Sequence, residues 1–421
     1  MSQIAAPTLL PVFRWWVIGL VALVAISPTD IPASYRLYLA LVYLLLFAYP
    51  IVNRRYDGME AARAIIYTPL RFGWAVPLLL FQLMAVWIAT QYYTGTNYPT
   101  ALLAALSGEN TYGAYQAYFA EARIAFTSPW QRAGYAILLA AAKLIFVFSV
   151  VNFYFGRERR AGGAAFMALS CGLYLGFGLA RGTFFEVFEV TCAVVYFWVM
   201  TSVTRHLHMP RRRKRVLYLL GVMAVLLIGL FILNAMRRYE DVSAFFRQCS
   251  SNFCYNPVGI SDFIEFPIYL LTVYFGNAGV FMASLLDVTL TRGVHGYLLP
   301  MQSVLANWGG DEFGLRAVMC ERYVVCRFVW TPEVATVLSI FGILAIPITN
   351  MLVVQLGRFE SFVIRNASLS GMMLLYFAFV FCISLPTANF FTISSPSIIA
   401  TVALTVVFLS NRRRLEFPQA A

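Results

Sequence analysis

Ten stretches of this chain are almost continuous apolar runs of roughly 17–25 residues, the length an α-helix needs to cross the hydrocarbon core of a bilayer. They lie near residues 13–29, 37–52, 72–91, 133–155, 163–180, 184–204, 216–235, 333–356, 368–387 and 395–411. Composition argues against a soluble alternative: 61% of the 421 residues are hydrophobic and only 12% are charged, too little charge to cover a water-facing surface of that size. The expected fold class is all-α, a polytopic transmembrane helix bundle. The first run has no small-residue cleavage site and another run follows at once, so a cleaved signal peptide is not expected.

The connectors alternate in charge. Arg54 and Arg55, Arg157 to Arg160, the basic string Arg205 to Arg215, Arg358 and Arg365, and Arg412 to Arg414 fall on one side. That side holds 19 of the 31 basic residues and 5 of the 19 acidic ones. Such a bias marks the cytoplasm. Both termini are therefore expected inside, in a multi-pass membrane protein. The organisation expected is a seven-span bundle over 1–235, an external loop domain over 236–332, and a three-span bundle over 333–421. Residues 266–286 are uncharged and long enough to cross. The Gly276-Asn277 pair at their middle suits a re-entrant hairpin or surface helix instead, where protein or a water-filled cavity surrounds it.

The cysteines divide along the same line. Cys171, Cys192 and Cys382 fall inside apolar runs and read as small packing residues. Cys249, Cys254, Cys320 and Cys326 fall in the external loop as two close pairs, which suggests disulfides in an oxidising space; a four-thiolate metal site is the alternative.

Most of the motifs in the spans and connectors have bland readings. His206 and His208 sit in a string that reads as a cytoplasmic clamp on lipid phosphates. Gly172 and Gly176 have the small-xxx-small spacing of helix packing. The junction of the fifth and sixth runs, LARGTFFEVFEV, is less ordinary. Arg181 stands at a membrane edge, and Glu186 and Glu189 share one face of the helix that follows. Charges at that depth need a partner or a water-filled cavity. Arg181 reads as functional, while the glutamates are as well explained by neutralising Arg181 as by function. The external loop carries Arg237, Arg238, Arg247, Arg292, Arg316, Arg322 and Arg327, side chains whose forks match phosphate oxygens. It also carries the one external histidine, His295, between Gly293 and Gly296, a candidate general base or a structural residue. Phosphate-cradling glycine loops of the GxxxxGK[ST] kind, HExxH helices and GxSxG elbows are absent from the sequence, so nucleotide hydrolysis and soluble-type metallohydrolysis are not expected.

The sequence resembles the bacterial oligosaccharide repeat-unit polymerases of O-antigen and exopolysaccharide assembly, the Wzy family. Three stretches within about 170–360 carry the likeness: GLARGTFFE; the external segment YLLTVYFGNAGVFMASLLDVTLTRGVHGYLLPMQSVLANWG; and the turn FVWTPEVATVLSIFGILAIPITNMLVVQLGRF. In the last, Thr331, Phe341, Gly342 and Gly357 match the family pattern, whereas Ile340 stands where an aspartate is common and Ala345 where a second glycine is. The resemblance implies a glycosyltransferase of the bacterial inner membrane, without metal or other cofactor. It would transfer a growing glycan from an undecaprenyl pyrophosphate carrier to the next lipid-linked repeat unit on the periplasmic face. Arg181, Arg238, Arg292 and Arg327 would then bind the lipid pyrophosphate, His295 or Glu186 would act as base, and Tyr297 and Trp330 would contact sugars. Membrane lipids, a flippase and a chain-length regulator are the implied partners, and nucleic acid is not. An O-antigen ligase transferring glycan to lipid A core, or a polysaccharide-lipid flippase, are the competing readings.

Overall fold

In a computed structural model the described residues are 4–52, 62–63, 72–125, 129–156, 161–202, 249–250, 253–292, 332–388, 390–392 and 394–416, with isolated positions between 229 and 246. They are helical apart from two two-residue strand pairs. Eight helices come first: α1 Leu9–Ile26, α2 Ala33–Val52, α3 Phe72–Thr94, α4 Tyr98–Ser107, α5 Thr111–Ala125, α6 Pro129–Phe155, α7 Ala161–Arg181 and α8 Phe185–Ser202. After them come α9 Asp262–Arg292, α10 Glu333–Phe341, a 3₁₀ turn Gly342–Leu344, α11 Ala345–Asn366, α12 Leu369–Ser384 and α13 Ser395–Glu416. Six of these are long and apolar enough to cross a membrane: α1, α2, α3, α6, α7 and the first 23 residues of α9.

Three features depart from the sequence reading. The Gly276-Asn277 pair breaks nothing: α9 runs unbroken for 31 residues and packs on α1 and α2. A glycine in a helix costs about 1 kcal/mol, and close packing offsets it here. A Cβ added at nearby Gly279 would lie 3.1 Å from the Tyr43 ring, and the Tyr43 hydroxyl reaches the Phe275 carbonyl at 3.4 Å. Conversely, the run at 333–356 is not one helix but α10 and α11 joined by the 3₁₀ turn. Finally, the connector after α3 holds two helices of its own. Asn97 caps α4 by accepting from the Thr100 amide at 3.0 Å, and Gly108 ends it in a left-handed conformation. Tyr98 explains one of the two glycines of α7: a Cβ at Gly176 would overlap its hydroxyl, whereas at Gly172 nothing stands within 4 Å. The helix-packing role expected of both falls to Gly176. The run at 216–235 lies almost wholly outside the described residues.

One end of the bundle is tied by Glu360 of α11. Its buried carboxylate accepts from the Thr8 amide at 3.0 Å, the Leu9 amide at 2.9 Å and the Tyr196 hydroxyl at 2.7 Å, satisfying the free amides that open α1. Strand β1 (Ile4–Ala5) pairs with β2 (Ala62–Arg63) at the same end, and the Ala6 amide bonds the Met200 carbonyl near the close of α8. Phe408 of α13 packs on Phe359 and Phe362, which flank Glu360. Helix α13 therefore runs back to the end where α1 begins. At the opposite end, Thr29 bridges Tyr255, the Asn256 amide bonds the Pro28 carbonyl, and the Cys254 amide donates to Asp30 at 2.6 Å. There Cys249 and Cys254 are register partners in the hairpin of β3 (Cys249–Ser250) and β4 (Phe253–Cys254).

Candidate functional site

The α7–α8 junction forms at the end of the bundle opposite Glu360 and Met200. Helix α7 closes with the two bonds of a Schellman cap: the Thr183 amide donates to the Gly178 carbonyl and the Gly182 amide to the Leu179 carbonyl, both at 2.9 Å. Gly182 adopts a φ of 63°, and a Cβ there would meet the Thr111 hydroxyl and the Tyr112 amide at 2.8 Å. Only glycine suits both the left-handed turn and the approach of α5. Helix α8 then opens with Glu186 in its first turn, where a carboxylate is favoured by the helix dipole. The Thr183 hydroxyl donates to Glu186 at 2.9 Å, the spacing of a capping box. Gly178 makes room for that carboxylate, since a Cβ there would stand 2.7 Å from Oε2.

Arg181 is ion-paired with Glu186, their side chains 11% and 2% exposed. Its guanidinium carbon lies 4.1 Å from the centre of the Phe177 ring, 5.1 Å from Tyr93 and 5.7 Å from Tyr115. This aromatic cage draws on α3, α5 and α7, and adds cation–π attraction in a desolvated setting. Burial pushes the Tyr115 phenol up from its ordinary pKa, while the Arg181 charge pulls it the other way. The Arg181 Nε is buried and has no hydrogen-bond partner among the described residues. Phe184, between the two charged residues in sequence, packs into an aromatic cluster with Phe246, Tyr255, Phe266 and Tyr269, which brings the start of α9 beside the junction.

One helical turn deeper lies a second pair. Lys143 Nζ donates to Glu189 at 2.7 Å, to Ser397 at 2.6 Å and to Ser394 at 3.3 Å, and the Tyr174 hydroxyl donates to the other Glu189 oxygen at 2.5 Å. All three ammonium protons are thereby engaged, the condition under which a buried charge is tolerated. The two glutamates that share a face of α8 thus divide: Glu186 reaches the cage at the edge, and Glu189 is sealed inside.

No family model, curated protein or solved structure matches this chain. The site must speak for itself.

Of the residues singled out in the sequence, the structure brings Arg181 and Glu186 together. Arg292 is the last residue of α9, and its side chain lies outside the described residues, as do Arg238, His295, Tyr297, Arg327, Trp330, Cys320 and Cys326. The ring cage and the Lys143 network were not anticipated. Two signals for them stand in the sequence: Tyr112, Tyr115 and Tyr118 recur every third residue, and Lys143 is a lone cation in the middle of an apolar run.

Proposed function

We propose that this protein is a membrane glycosyltransferase that extends a glycan from a polyprenyl pyrophosphate donor, as the resemblance to repeat-unit polymerases implies. The observation that carries the reading is the state of Arg181. A planar, permanently charged guanidinium is held at a helix junction by three rings and one carboxylate, with Nε buried and unengaged. A pyrophosphate arriving at that edge supplies oxygens for the open donor and competes with Glu186 for the rest of the fork. Such a cation stabilises charge as it develops on the leaving group.

In this reading the acceptor sugar hydroxyl attacks the anomeric carbon of the donor. The new glycosidic bond forms as the bond from that carbon to the pyrophosphate oxygen breaks, and the leaving group departs with the bonding electrons. The hydroxyl proton passes to a base, His295 or the Glu186 carboxylate once the pyrophosphate has taken its place on Arg181. The Arg181 end of the bundle faces the outer side in this scheme, with Arg238, Arg292 and Arg327 as further phosphate ligands and the paired cysteines oxidised.

The test is reconstitution of the purified protein in liposomes with a lipid-linked repeat unit. Growth of a ladder of longer lipid-linked glycans is expected. Transfer to lipid A core in place of a ladder would favour a ligase. Movement of the lipid across the bilayer without transfer would overturn the reading in favour of a flippase.

A further inference from the structure

Five carboxylates are buried among the described residues: Glu186, Glu189, Glu265, Glu333 and Glu360. Four of them have both oxygens engaged. Glu186 is held by Arg181 and the Thr183 hydroxyl, Glu189 by Lys143 and Tyr174, and Glu360 by the Thr8 and Leu9 amides and the Tyr196 hydroxyl. Glu265 accepts from the Tyr255 hydroxyl and from the amides of Val258, Gly259 and Ile260. Glu333 differs. It is 0% exposed, one oxygen accepts from the Thr392 amide at 3.3 Å, and the other, Oε1, has no hydrogen-bond partner among the described residues.

Its surroundings are apolar and uncharged. Glu333 opens α10, whose Val334 and Leu338 lie in the main hydrophobic core. The Val334 amide bonds the Leu385 carbonyl at 3.0 Å, which seats Glu333 on the loop from Leu385 to Ser394. The described charged groups on the elements around it are committed elsewhere. On α9, Asp287 accepts from Tyr38 and Glu265 from Tyr255, while Asp262 is exposed. On α11, Arg358, Glu360 and Arg365 lie in the half remote from α10, and α12 carries no charge. Across the loop, Lys143 is bound to Glu189, Ser394 and Ser397.

An ionised carboxylate with a bare oxygen in a dry interior is strongly disfavoured, and it is neutralised by a proton or a metal cation. A metal cation needs several oxygens around it. In the loop and the helix end before it, the carbonyls of Ile383, Ser384, Leu385, Pro386, Ala388 and Phe391 already accept hydrogen bonds. A proton needs only Oε1, and it leaves the other oxygen accepting from Thr392.

We propose that Glu333 is a proton-binding site gated by this loop. With the loop closed the carboxyl is neutral. When the loop opens to solvent, the Oε1–H bond breaks, the proton passes to water and the carboxylate remains. The closed form holds a proton that the open form loses, so raising the pH favours opening. Phe390 of the same loop lays its ring 4.2 Å from Phe188 and 6.0 Å from Phe185, which flank Glu186 on α8. Proton occupancy at Glu333 thereby bears on the α7–α8 junction, whatever reaction runs there.

Difference infrared spectroscopy of the intact protein in nanodiscs, wild type minus Glu333→Gln at about pH 7, tests the site. The wild type should show one carbonyl band of a protonated carboxyl that the variant lacks. The variant imitates the neutral form and should keep the melting temperature of the parent. A carboxylate band in place of the carboxyl band, or a variant that does not fold, would overturn the proposal. Amide hydrogen exchange tests the gate, and its first half needs no variant. Between about pH 6 and about pH 9, amides from Leu385 to Ser394 in the wild type should speed up at least about tenfold more than their chemical pH dependence accounts for. In Glu333→Gln they should follow the chemical dependence alone. A wild-type loop that also follows it, or the same excess in the variant, would overturn the proposal.

Discussion

Lys143 and Glu189, 46 positions apart in sequence, meet at 2.7 Å in the interior of the bundle, 2% and 0% exposed. Their pairing fastens α6 to α8 and, through Ser394 and Ser397, both to the start of α13. A charge pair so placed contributes little net stability over an apolar pair, yet breaking it strands one charge in a dry interior.

Lys143→Met and Glu189→Leu should each destabilise the protein by about 3–5 kcal/mol, and the double variant by much less than their sum. Thermal unfolding in detergent for the four proteins of the cycle measures this. Additive losses would show that the two side chains do not depend on one another.

Arg181→Lys keeps the charge and loses the fork. It should reduce glycan elongation by about a hundredfold, on the order of 3 kcal/mol of lost stabilisation of the leaving group. Chain-length distributions of surface glycan, normalised to protein in the membrane, give the readout. A wild-type distribution would exclude Arg181 from the reaction.

Gly182→Ala should act through structure. An alanine at φ 63° costs about 1–2 kcal/mol in backbone strain alone, and its Cβ collides with Thr111 and Tyr112. Gly178→Ala should instead displace the Glu186 carboxylate and lower activity with a smaller change in melting temperature. Equal melting temperatures for the Gly182→Ala protein and the parent would contradict the geometry of the turn.

Cys249 and Cys254 stand opposite one another in their hairpin, and a disulfide between them is expected in protein isolated without reductant, as is one between Cys320 and Cys326. Each closes a short loop and would contribute about 2–3 kcal/mol at most. Peptide mass spectrometry with alkylation before reduction decides it: four alkylated thiols would place this end of the chain in a reducing space.

Reporter fusions address the orientation. One after Lys214 and one at the C-terminus should read cytoplasm, and one near Asp311 periplasm, as the basic connectors require. Opposite readings at Lys214 and the C-terminus would contradict the return of α13 to the end where α1 begins.

Hydropathy and charge alone determine that this chain lives in a bilayer as helices, because lipid leaves the backbone few ways to satisfy its polar groups. The same reasoning located α1, α2, α3, α6, α7 and α8 to within a few residues. It also marked Arg181 and Glu186, since charge at an apolar helix junction is costly in any fold. What pairs with what was beyond it. A glycine-asparagine pair signals a break only while its neighbours are unknown, and in α9 the Tyr43 ring against Gly279 decides otherwise. Nothing local distinguishes Glu186 from Glu189, three residues apart on one face. Glu189 is claimed by a lysine 46 positions earlier, itself held by serines more than 250 positions beyond it, and Glu186 by Arg181 next to rings from α3 and α5. Those contacts exist only once the helices have packed, so tertiary structure alone assigns one carboxylate to the scaffold and the other to the site.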